Sequence, residues 1–271
     1  MITNRGNIAL PNLVRDWSKL PIELPAEVKN CLDLLKATNQ SKPAPLPEVT
    51  DISDADKLVK QFTKHFAEAK AQAEAKSHLN QVATKRLQRA MQDAVPQLIE
   101  DLQEPFNASA ARYTEAVKRL PKELTAEALV NAPGNVSEAY RTAEEEYRFL
   151  RQVEVAYTGI LQHLFVGTQP GHPMKLCGAT TQAELAELRK QSGSQIVRKI
   201  GEVLFNAVHA GIPLRLVDPE QLREEIEYVN NEPLREQAQR EQMTKRGRGE
   251  AARQYLAALR NAHGIDSIRL G

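Results

Sequence analysis

The chain has 271 residues, with 36 Lys plus Arg against 35 Asp plus Glu and a formal net charge of +1. Apolar residues make up 41%, charged residues 26% and aromatics only 5%, and the mean hydropathy is −0.48. These figures argue against a membrane protein, a disulfide scaffold and a wholly disordered chain, and they suit Ala-rich packed helices around a thin core.

Residues 1–22 hold Pro11 and Pro21 without a sustained period and are expected to form an extended or partly ordered arm. Pro25 then opens a short helix, with Val28, Cys31, Leu32 and Leu35 on one face. Pro43, Pro45 and Pro47 alternate through residues 38–50, which predicts an extended linker. From Asp54 to Val95 there is neither Pro nor Gly, and strong helix formers dominate. Leu58, Phe62, Phe66 and Ala69 open an apolar stripe that Leu79, Ala83, Leu87, Ala90, Ala94, Leu98 and Leu102 continue. A straight helix from Ser53 to Val95 is about 65 Å long. Pro96 is expected to kink it and Pro105 to break it, with a further helix near 107–119.

A short helix follows Pro121 and stops at Pro133-Gly134, where a turn folds the chain into an antiparallel hairpin. The second long helix is expected over 137–166 with Ser137 as its cap, and Tyr140, Ala143, Tyr147, Leu150, Val153, Tyr157, Leu161 and Leu164 on its packed face. Residues 166–178 are a loop. Helix resumes at Thr181, is weakened at Ser192-Gly193-Ser194 and ends at Gly211-Ile212-Pro213. Residues 214–217 suit a short strand. Asp218-Pro219-Glu220-Gln221 has capping-box spacing for the next helix. A turn at Asn230-Asn231, a polar helix from about 233, a helix over 250–262 and a short C-terminal strand complete the reading. The fold class is therefore all-α: an elongated bundle of long helices divided as an N-terminal piece (1–50), a long-helix hairpin (51–166) and a C-terminal helical segment (167–271).

No apolar run reaches the roughly 18 residues of a membrane helix, and the N-terminus lacks a signal-peptide core. Cys31 and Cys177 belong to no CxxC pair or zinc-type cluster. A cytoplasmic chain with reduced thiols is expected, with one long-range disulfide as the alternative. Charge is blocky. Residues 57–90 hold eight bases and two acids (+6), residues 218–241 eight acids and three bases (−5), and residues 245–269 six bases and two acids (+4).

The phosphate loop, the dinucleotide fingerprint, HExxH, GxSxG and the EF-hand loop are all missing from the sequence. His163, His172 and Cys177 around the 166–178 loop carry the types needed for a zinc site or a Cys–His pair, without a fourth ligand or an orienting group nearby. His65 and His78 are too far apart for one helical site, and Glu144, Glu145 and Glu146 spread around their helix. No cofactor and no metal are expected. Trp17, beside Leu13, is either an anchor for the arm on its own helices or an anchor on another subunit.

The leading expectation is a non-enzymatic structural or assembly protein that self-associates or binds a protein partner. Its candidate contact residues are Trp17, Leu13, Leu58, Phe62 and Phe66. At the level of architecture alone this resembles phage scaffolding and virion-assembly proteins, and no motif ties it to a family. The alternative is a helical nucleic-acid-binding or regulatory protein using residues 57–90 together with Lys245, Arg246, Arg248 and Arg253. An all-α enzyme with the His/Cys loop as its site is the third reading.

Overall fold

The computed structural model describes residues 6–40, 55–131, 133–165, 171–240, 242–244, 250, 253 and 254. Leu10, Leu13, Val14 and Trp17 recur at helical spacing and are buried on α1 (Gly6–Trp17). This stretch is a helix and not an extended arm. Pro11 lies at its sixth position, in mid-helix, and the apolar face packs on α5 and α3. After a tight turn over 18–25, α2 (Ala26–Gln40) buries Val28, Cys31 and Leu35, the face read from the sequence. The alternating-proline linker lies outside the described residues.

α3 (Ala55–Lys118) is one helix of 64 residues, about 95 Å long. It contains both Pro96 and Pro105, so the break expected at Pro105 does not occur. Each proline removes one backbone hydrogen bond and frees the carbonyl four residues earlier. Pro96 is exposed and Pro105 half-buried, while Val95, Leu98, Leu102 and Phe106 around them are buried. The defects therefore face outward, and the packed side holds the helix together.

Thr125 caps α4 (Ala126–Val130) by accepting from Ala128 N at 3.1 Å. α5 (Gly134–His163) begins at Gly134, three residues before the expected cap. Ser137 is inside its first turn, and Pro133, in extended backbone, takes the cap position without a side-chain bond. Two contacts fix α3 and α5 as antiparallel: Gln92 Nε2 donates to Leu164 O at 3.0 Å, and Ser109 Oγ donates to Glu146 Oε2 at 2.7 Å.

A 3-10 turn (Pro173–Leu176) is followed by α6 (Gln182–Leu188), α7 (Gln195–Lys199) and α8 (Glu202–Ala210). The weak point at Ser192–Ser194 does divide the helical run, and a second break falls at Gly201. Gly201 takes φ +85 directly under the Tyr147 ring, where a Cβ would collide. Gly211 ends α8 in the left-handed conformation. Over 214–217 only Leu214 pairs, in one isolated antiparallel bridge with Cys177, so the strand expected there is absent. Asp218 caps α9 (Pro219–Asn230) by accepting from Glu220 N at 2.8 Å, with Pro219 in the first turn. Gln221 bonds Glu225 instead of reaching back to close the capping box. Residues 232–240 are helical, and the expected C-terminal strand lies outside the described residues.

The fold is all-α and elongated along α3. α2 and α5 lie against α3, α1 crosses α5 and α3, and α8 docks on α3. Buried side chains from α1 to α9 form one hydrophobic cluster. No helix among the described residues is long and apolar enough to cross a membrane.

Candidate functional site

Of the residues picked out as partner contacts, Trp17 and Leu13 are buried within the chain itself. Trp17 is fully covered, and its indole N–H donates to Ala156 O of α5 at 3.1 Å. Leu13 packs where Gly159 leaves α5 without a side chain. Both side chains are already used in joining α1 to α5, which is the first of the two roles weighed for Trp17.

Leu58, Phe62 and Phe66 lie elsewhere, on the N-terminal third of α3. α2 ends beside the middle of this helix, where Lys76 Nζ donates to Asn39 O at 3.3 Å and Asn80 Nδ2 to Asn39 Oδ1 at 3.2 Å. Towards the N-terminus no described helix follows α3, and no residue from 56 to 82 is fully buried. The first twenty residues of this stretch, 56–75, form an arm about 30 Å long. Val59 is 64% exposed and Phe66 60% exposed, with Leu58 and Phe62 half-buried. The Phe62 and Phe66 rings lie 6.3 Å apart, and His65 stands 6.0 Å from Phe66. Lys57, Lys60, Lys64 and Lys70 are exposed around this apolar strip.

The His/Cys constellation is not a poised reactive site. His172 caps the 3-10 turn, its Nδ1 accepting from Met174 N at 3.4 Å, and only 4% of the residue is exposed. Its Nε2 finds no partner. Burial, with Arg189 and Lys175 nearby, pushes its pKa down to about 4. Cys177 is buried, and burial pushes its thiol up to about 12, so the reactive thiolate is suppressed. A cavity of about 190 Å3 between α5, the 3-10 turn and α8 is lined by Tyr147, Glu154, His172, Lys175 and Glu202. Lys175 is held there by Glu154 at 3.0 Å and Thr158 at 2.9 Å. His163, half-buried, lines a separate groove between α1 and α5. No three His, Cys, Asp or Glu side chains among the described residues are grouped to hold a metal ion. Cys31 and Cys177 are both free thiols.

Of the basic candidates, Lys245, Arg246 and Arg248 lie outside the described residues, and Arg253 is exposed. Two interacting groups escaped the sequence reading. Glu146 accepts from Arg112 Nη2 at 3.0 Å and from Ser109, which locks α5 to α3. Burial opposes its ionisation, but those two donors hold its carboxyl below the usual range. Tyr113 donates to Ile200 O at 2.6 Å and ties α3 to the α7–α8 corner. Nothing local in a helix marks either residue, because their partners lie 34 and 87 positions away.

The chain matches no protein-family description, no characterised protein and no solved structure.

Proposed function

We propose that the protein is a non-enzymatic helical assembly protein, in a scaffold-like role, and that the arm of α3 over residues 56–75 is its protein-binding element. One observation carries this reading: a helix rooted in a packed core runs on for about 30 Å past its last described neighbour, with Val59, Phe62 and Phe66 on its surface. An isolated helix of that length is marginal in water. Here the packed half nucleates it, so the arm holds its apolar strip in a fixed direction. Large exposed aromatics on a rigid element are typical contact anchors.

Two observations favour this reading over its competitors. The arm carries four Lys against Asp56, Glu68 and Glu74, a net +1 over 56–75, so most of the +6 of residues 57–90 lies beyond it and the arm itself offers little charge to a phosphate backbone. The suppressed Cys177 thiol speaks against a nucleophilic enzyme.

A photo-reactive residue in place of Val59 or Phe66, and at exposed Glu220 as a control, tests it in expressing cells. Defined protein adducts from the arm, with both partners identified by their peptides, and none from the control are expected. Adducts from neither arm position would overturn the reading.

A further inference from the structure

We propose that the occupant of the α3 arm is a second copy of this chain, paired arm to arm and antiparallel; this deepens the reading above and rests on it. Val59, Phe62, Phe66, Ala69 and Ala73 are spaced 3, 4, 3, 4, a coiled-coil seam. The same register runs on through Lys76 and Asn80 to Ala83, Leu87, Ala90 and Ala94, all four of which are buried. α2 ends where it bonds Lys76 and Asn80, and beyond that point the seam has no cover among the described residues. The open seam is therefore the continuation of an interface already built in this chain.

Its composition selects the pairing. The large residues, Val59, Phe62 and Phe66, sit at the outer end and the small ones, Ala69 and Ala73, at the inner end. Parallel, in-register pairing stacks Phe on Phe and Ala on Ala, leaving crowding at one end and voids at the other. Antiparallel pairing about a two-fold axis between Ala67 and Glu68 sets Phe66 against Ala69 of the partner subunit. It sets Phe62 against Ala73 of the partner subunit, so each Phe faces an Ala, while Val59 meets Lys76 of the partner subunit at the end of the seam. Charge agrees. About that axis residues 56–67 hold three Lys and one Asp (+2), whereas residues 68–79 hold two Glu and two Lys (0). Antiparallel arms bring the positive half onto the neutral half, and parallel arms bring positive onto positive. The interface is isologous and closes as a dimer.

Sedimentation velocity of the full chain, from micromolar to submillimolar concentration, tests this. A concentration-dependent dimer is expected. Phe66→Glu should weaken it by about tenfold or more without shifting thermal unfolding, since the ring is exposed in the single chain. Register is read by rescue. Phe66→Ala and Ala69→Phe should each weaken the dimer, and the double variant should restore it, because every Phe then again faces an Ala. A monomer at all concentrations, a dimer indifferent to Phe66, or a double variant no better than its parents would each overturn the proposal. Adducts from Phe66 that map to residues 41–54 of the same chain, or to a different protein, would assign the seam to that occupant and also overturn it. A different protein would leave the interaction reading standing, whereas no adduct at all removes both.

Discussion

Trp17 shows how one side chain sets the chain's path. Its indole fills the junction of α1 and α5, and its buried N–H finds its partner in the Ala156 carbonyl of α5. Trp17→Ala should cost about 3–5 kcal/mol in chemical denaturation followed by circular dichroism, since it opens a cavity and removes the indole bond to Ala156 O. His172 sets a pH limit. Its folded pKa of about 4 lies below the ordinary 6.5, so the unfolded chain binds the extra proton between those values. The stability conferred by keeping it neutral is complete above about pH 6.5 and is lost as pH falls towards 4, up to ~3 kcal/mol. Thermal unfolding between pH 7 and 4.5 should show this slope, and His172→Gln should flatten it. Gly201 combines φ +85 with the Tyr147 ring above it, so Gly201→Ala should lower the melting temperature even though alanine is the better helix former.

Among the elements, α3 carries two internal prolines without ending. The apolar period passes through both, and Phe106, Ala110, Tyr113 and Val117 beyond Pro105 are buried against the rest of the core. Pro96 is exposed, so Pro96→Ala should restore a backbone hydrogen bond at no packing cost and stabilise the protein by about 1–2 kcal/mol in denaturant titration. A helix packed over most of its length, with an arm uncovered among the described residues, also opens unevenly. At low concentration, amides of residues 56–75 should exchange faster by orders of magnitude than those of 90–117, as hydrogen exchange with mass spectrometry can read. Equal protection along the whole helix would contradict the bare arm.

At the level of the whole molecule, α3 alone is longer than a compact chain of this size is wide. A globule of 271 residues has a radius of gyration of about 18 Å. X-ray scattering in solution should give a clearly larger value and a maximum dimension of at least about 95 Å. The shape also bears on the proposed assembly: the buried core lies along the C-terminal part of the long helix, and the arm carries Val59, Phe62 and Phe66 away from it, so pairing through the arm would require no repacking of either core.

Local chemistry determined much of this from the sequence alone. Helical periodicity located α2, α3, α5 and the C-terminal helices, and caps at Thr181 and Asp218 and the stop at Gly211 lie where short-range hydrogen bonding and backbone freedom require them. The apolar stripe of Leu58, Phe62 and Phe66 was also legible, because it depends only on spacing within one helix. Only the tertiary structure decided what covers each face. It put Trp17 and Leu13 inside the chain, turned residues 6–17 into a helix, carried α3 through Pro105, set Glu146 against Arg112 and ended α2 beside Lys76. Period and propensity act over a few residues and say that a face is apolar, whereas its cover comes from side chains tens of positions away.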